Sequence, residues 1–327
     1  MTRRLLCALI IAIAMFLVAC RGSTVVERIP LTVVVTAEVP QVTREVTVVV
    51  TAPVTVIVTR VVPTTVFVTT TPLPAPGAAL SNAAAEQAAL RWLIGQQRND
   101  GGFTTVRNTA WATLALATAG VNPEDVLPPT GRHALEYLRG VISMGLAGGA
   151  EVKAVTALAL AGSGQGVPEA LGLRELPIPD TWPALPLLVW ALGADAPDEM
   201  VSALLDAQGD DGGFGSATNT ALAILALAAA GEEAPLAEAL GALRERQLTG
   251  GGWAAGDDEG EPDALATALA IQALAAVSQD LRTWGDPVRA LLALQQRDGS
   301  FGGDVVTTAA AIIAIQQAWA LEGNSAE

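Results

Sequence analysis

The chain has 327 residues, 51% of them hydrophobic and 16% charged, and a formal net charge of −15 at pH 7. So acidic a chain repels nucleic acid and anionic lipid headgroups. Its two cysteines, Cys7 and Cys20, both lie at the N-terminus, which excludes disulfides, a thiolate nucleophile and Cys-ligated metal from everything downstream.

Residues 1–20 read as a lipoprotein signal peptide. Arg3 and Arg4 supply a positive start, and Leu5 to Ala19 is apolar but short for a bilayer span of about 20 residues. The segment ends in Leu17-Val18-Ala19-Cys20, which resembles the bacterial lipobox and implies lipidation of Cys20 and an extracytoplasmic, membrane-anchored protein. An uncleaved membrane anchor is the other reading and puts the remainder on the same side.

Residues 21–77 are a Val/Thr/Pro-rich linker. Alternating β-branched residues, as in Thr47-Val48-Val49-Val50-Thr51, favour extended backbone. Prolines at 40, 53, 63, 72, 74 and 76 interrupt regular pairing. The expectation is an extended tether with an upper reach on the order of 190 Å. A small β-element that pairs with itself or a neighbour competes with it.

Residues 78–327 carry an internal repeat. Gln97-x-x-Asp100-Gly-Gly-Phe103, Gln208-x-x-Asp211-Gly-Gly-Phe214, Gln247-x-x-Gly250-Gly-Gly-Trp253 and Gln295-x-x-Asp298-Gly-Ser-Phe301 share one spacing. Their aromatics lie 111, 39 and 48 residues apart, and the long gap holds two degenerate units, at about 131–162 and 167–193. Six units result, each predicted as helix, glycine turn, helix. The helix before the turn is amphipathic: over 197–207, Met200, Val201, Leu204 and Leu205 alternate at helical spacing with Asp198, Glu199, Ser202 and Asp206. The helix after it is apolar all round, as in Thr220 to Gly231, and must be buried on every side. Stacking places apolar helices inside and amphipathic ones outside, so the fold class is all-α, an α/α toroid of six helix pairs; an open solenoid is the rival.

These repeats look like those of squalene–hopene cyclases and protein prenyltransferase β subunits, and are similar to those of cobalamin-carrier toroids. The resemblance implies the toroid fold over 78–327, with motif residues that clip repeats together. Gln and Asp are expected to satisfy free N–H groups at helix starts, and the aromatics to plug the seams. It carries over little chemistry. Prenyltransferases hold zinc with Asp, Cys and His, whereas this domain has no Cys and a single His133. The Asp-x-Asp-Asp acid of the cyclases is absent. The nearest acidic cluster, Asp257, Asp258, Glu259, Glu261 and Asp263, is expected to be a solvated loop whose last acid caps the next helix. Calcium binding and proton donation by Asp263 are the alternatives. No catalytic residue, metal or cofactor is assigned.

Aligned inner helices put Thr109, Thr220, Thr267 and Thr308 at one mouth of the ring, with Asn108, Asn219, Trp111, Glu151, Lys153, Trp182, Asp263 and Asp304 nearby. Together they are the candidate lining of a ligand pocket; helix capping and packing are the competing reading. The domain itself has 12 basic and 30 acidic residues, a difference of −18. The function expected is a tethered, non-catalytic toroid that binds a small, partly apolar ligand or a surface partner. A terpene-cyclase- or prenyltransferase-like enzyme acting on a polyprenyl substrate, and a surface scaffold, stay open beside it.

Overall fold

The computed structural model describes residues 33–39, 42–48, 82–129, 131–256 and 260–324. The signal peptide, Cys20 and Asp257 to Glu259 of the acidic loop lie outside the described residues. Within the linker, β1 (Val33–Val39) pairs antiparallel with β2 (Val42–Val48), with Val33 opposite Val48 and Val39 opposite Val42. The β-element therefore replaces the uninterrupted tether in this stretch. Valine and threonine, which favour extended backbone, make up most of both strands. The hairpin and the helical unit are separate compact bodies.

The helical unit contains eleven described α-helices. Six form the inner layer: α2 (Val106–Thr118), α4 (Ala150–Gly162), α5 (Ala184–Leu192), α7 (Ala217–Ala230), α9 (Ala264–Ala276) and α11 (Val305–Asn324). The outer layer holds α1 (Asn82–Gly95), α3 (Ala134–Ser143), α6 (Asp198–Asp206), α8 (Glu233–Glu245) and α10 (Pro287–Ala293). Each inner helix packs on the next, and α11 packs on α2, so the ring closes. The solenoid reading is thereby excluded. The twelfth helix expected from the sequence is missing: the third unit has only a 3-10 turn, Glu169–Leu171, in the outer layer. Pro177, Pro179 and Pro183 crowd the stretch that follows, where missing amide donors and restricted φ oppose a helix. Leu171 and Leu173, both buried, cover the inner ring there instead.

The middles of three inner helices are packed on every side. From Thr220 to Leu227 on α7, from Ala266 to Leu274 on α9 and from Val305 to Ile315 on α11, each residue is buried. Alanine lets such helices approach closely, and leucine and isoleucine fill the space between them. Three inner helices end at the left-handed glycines Gly120, Gly164 and Gly231, and the N–H of Gly231, at φ +85°, bonds the carbonyl of Leu227.

The motif residues hold the layers together in a recurring way. In three units the glutamine amide bridges two carbonyls, one in its own turn and one at the start of the next outer helix. Gln208 donates to Gly212 O (2.9 Å) and Pro235 O (3.0 Å), and Gln247 to Gly251 O (2.9 Å) and Trp284 O (2.6 Å). Gln295 donates to Gly299 O (2.9 Å) and Ala85 O (2.7 Å), which joins the last unit to the first. Gln97 reaches only Gly101 O, at 3.1 Å. The glutamines thus serve carbonyls rather than the N–H groups expected for them. The aspartates do accept N–H groups, but within the turn: Asp100 from Gly102, Asp211 from Gly213 and Asp298 from Ser300. The side chain of Arg246 bonds Asp211 and holds its carboxyl below the usual aspartate value. Phe103, Trp253 and Phe301 are fully buried and Phe214 nearly so.

Candidate functional site at the inner-helix mouth

The inner helices can be registered by their N-caps: Thr105, Gly149, Pro183, Ser216, Asp263 and Asp304. Thr109, Thr220, Thr267 and Thr308 all stand four residues after a cap. Their hydroxyls accept from the amides of Phe103 (2.8 Å), Phe214 (3.0 Å), Trp253 (3.1 Å) and Phe301 (3.0 Å). All four are fully buried. They clasp the turn to the helix, so their hydroxyls are committed to the fold. Lys153 occupies the same position on α4 and is half-exposed, its amide bonding Gly149 O.

Asp263 and Asp304 are helix caps. Asp263 Oδ1 accepts from Ala266 N at 2.8 Å, and Asp304 Oδ1 from Thr307 N at 3.0 Å. The backbone amides of Asn108 and Asn219 are themselves capped, by Thr105 and Ser216, and their side chains are half-buried at the mouth. Trp182 packs on Phe214 with ring centroids 5.6 Å apart, beside the start of α5.

What faces the axis lies roughly opposite the threonines on the helical wheel. Two residues after each cap stand Arg107, Glu151, Leu185, Thr218, Leu265 and Val306. Arg107 and Glu151, on neighbouring helices, form an ion pair at 2.5 Å (Nε to Oε1), with side chains 42% and 27% exposed. One turn deeper stand Trp111, Val155, Val189, Leu222, Leu269 and Ala310, none more than 4% exposed. This level is a floor filled by side chains. The mouth, or basin, therefore carries one charged corner above a level of packed apolar side chains. Trp111 is a floor residue whose indole Nε1 has no hydrogen-bond acceptor.

Of the sequence candidates, the structure brings together Trp111 and Glu151 at the basin, with Asn108, Asn219 and Trp182 around the mouth. Arg107 was missed. Its signal was visible in hindsight as a charged residue on the axis-facing stripe of an otherwise apolar helix. Gln272, fully buried on α9, was also missed; its amide donates to Ala310 O of α11 at 2.9 Å. Among the described residues, no group of three His, Cys, Asp or Glu side chains is placed to hold a metal ion. His133 caps α3, its Nδ1 accepting from Glu136 N at 3.3 Å.

Comparison with solved structures shows what class of architecture this is: a terpenoid-cyclase-like α/α toroid. A type II terpene cyclase from Scytonema, MstE, is 17% identical with a TM-score of 0.54, covering 73% of this chain and 98% of that one. A point variant of the same cyclase has been captured with its substrate, geranylgeranyl dihydroxybenzoate. An ent-copalyl diphosphate synthase from Streptomyces platensis is 21% identical with a TM-score of 0.50, over 65% of this chain and 50% of that one. A protein from Actinoplanes matches over its whole length at 18% identity and a TM-score of 0.53. At these identities the likeness shows the fold. No family profile and no curated protein matches the sequence.

Proposed function

We propose that the helical unit acts on isoprenoid chains as a terpene-cyclase-like protein, receiving them at the basin where the inner helices begin. The observation that carries this reading is the pairing of an apolar floor with one polar corner. Trp111, Val155, Val189, Leu222 and Leu269 form a packed apolar level, and the Arg107–Glu151 pair stands one turn above it. An isoprenoid with an oxygenated head has the matching asymmetry, and apolar burial supplies most of its affinity. Likeness to cyclases of polyprenyl substrates supports the same reading. Attachment to the membrane through Cys20 belongs to the proposal and brings the basin near a store of such chains.

A second reading, a non-catalytic binder, is favoured by a specific observation. Asp263 and Asp304 are committed to helix caps and Glu151 to Arg107, so none of these three carboxyls is left free to deliver a proton. One experiment separates the two. The full chain, extracted from membranes in detergent, is incubated with geranyl, farnesyl and geranylgeranyl alcohols and their aryl derivatives. Native mass spectrometry reads binding and gas chromatography reads cyclised products. Binding with turnover, both weakened in Arg107→Ala, is the expected outcome. Binding without turnover leaves the binder. No retention of any of these chains ends both readings, and fatty-acid labelling that persists in Cys20→Ser ends the anchor.

A further inference from the structure

Two levels of the inner ring are apolar except at one position each. Six residues after the caps, Trp111 is the only side chain of its level with a polar atom. It is 3% exposed, and its indole N–H has no acceptor among the described residues. Nine residues after the caps stand Leu114, Leu158, Leu192, Leu225 and Ile313, and in the remaining place Gln272, which is fully buried. The Gln272 amide donates to Ala310 O at 2.9 Å, while its Oε1 has no donor among the described residues.

These two side chains flank one helix. α11 packs on α2, which carries Trp111, and on α9, which carries Gln272. The bond to Ala310 O holds the Gln272 amide beside residue 310, and residue 310 stands at the level of Trp111. Ala310 is the smallest residue of that level, so α11 puts nothing beyond a Cβ there. The inner wall at Ala310 thus has an unpaired donor on one flank and an unpaired acceptor on the other.

Each unpaired group carries a desolvation cost that phenylalanine at 111 or leucine at 272 would avoid, and a buried polar group without a partner calls for one. A donor and an acceptor together select a group that both accepts and donates. A hydroxyl does so through one oxygen. An ether or a ketone serves Trp111 alone, and an ammonium serves Gln272 alone. We propose that the inner wall at Ala310 is the head site for an apolar alcohol, whose oxygen accepts from Trp111 Nε1 and whose O–H donates to Gln272 Oε1. Leu114, Leu158 and Leu192, half-buried where Leu225 and Ile313 are buried, offer apolar surface to the body of such a molecule. Gln272 stands deeper along the ring than the packed level beneath Arg107 and Glu151, so this head site is distinct from the charged corner and requires no isoprenoid activity.

The test uses the full chain, labelled with 15N-tryptophan, in a detergent without hydroxyl groups. Of the signals from its seven tryptophans, the indole N–H signal lost in Trp111→Phe belongs to Trp111. Geranylgeraniol and 1-hexadecanol should each move that signal. Native mass spectrometry should show each alcohol retained about tenfold more firmly than its methyl ether, the factor that one hydrogen bond supplies. Gln272→Leu fills the same space and should erase the preference for alcohol over ether without lowering the temperature of unfolding. Equal retention of alcohol and ether overturns the proposal, as does a preference that survives in Gln272→Leu. A Trp111 signal that neither alcohol moves also overturns it and makes water the partner of both atoms. Retention of 1-hexadecanol with this preference, and of no isoprenoid, upholds the head site and ends the isoprenoid reading of the mouth. Retention of isoprenoids without the preference does the reverse, and retention of neither ends both.

Discussion

The fifth unit is locked to the sixth by two contacts that the second unit does not make with the third. In the fifth, Gln247 ties its turn to the carbonyl of Trp284, and Gly251 lies against the carbonyl of Gly285. The other motif turns repeat the close approach: Gly101 against His133 O, Gly212 against Glu238 O and Gly299 against Ala88 O. In the second unit, Gly145 has the same left-handed backbone, φ +70°, and open space where a Cβ would go. The difference teaches what the motif is for. Its glycine is needed less for the bend than for the absence of a side chain at a unit–unit seam. Where the requirement lapses, the outer wall thins and apolar residues reach water.

The comparison can be broken most forcefully at those glycines. Gly251→Ala must strain a backbone at φ +88° and also push apart two main chains, and should cost more than about 3 kcal/mol. Gly145→Ala should cost about 1–2 kcal/mol, the backbone penalty alone. Urea unfolding of both variants measures the pair. Equal losses would mean that the seam contact is relaxed at little cost and that the motif serves only the turn.

The glutamines give the next largest effect. Gln247→Ala strips a part-buried carbonyl at Trp284 of its side-chain donor and loosens the turn, which should cost about 1–3 kcal/mol. Gln97→Ala removes one bond inside its own turn and should cost about 0.5–1.5 kcal/mol. If the two losses were equal, the bridge between units would contribute nothing measurable, and the seam would be held by Phe103, Trp253 and their neighbours alone.

Much of this was legible along the chain, because periodicity reports burial directly. The all-apolar run from Thr220 to Gly231 could only be an inner helix, and the amphipathic 197–207 only an outer one. Asp263 read correctly as a cap from its place before Ala264. The axis was not legible. An Ala/Leu stripe has the same composition whether it borders a void or meets its counterparts, and only the ring radius decides between them. The level of the aligned threonines was legible too, but position along a helix says nothing of which face looks inward. The glutamines were given the wrong partners because an amide donates as well as accepts. Their carbonyl partners lie 27 and 37 residues away, and 210 residues away at the closing seam.

That closing seam has a feature none of the other described seams shares, and it supports the smallest and most specific prediction. Glu86 of α1 is 5% exposed and accepts a hydrogen bond from Gln316 of α11. Burial raises its carboxyl above the ordinary 4.5, and the bond from Gln316 offsets part of the rise. The folded protein therefore holds this proton more tightly than the unfolded chain does. Its contribution is fully present below the unfolded value and is lost as pH rises through the folded one. Glu86→Gln keeps the hydrogen bond without the buried charge. It should raise Tm at pH 7 by about 2–4 °C and change it little near pH 4, where the native carboxyl is already protonated. A gain of the same size at both values would trace the effect to packing. A loss at pH 7 would show that the ionised carboxylate strengthens the bond from Gln316 by more than its burial costs, so that the ring closes on a charge rather than in spite of one.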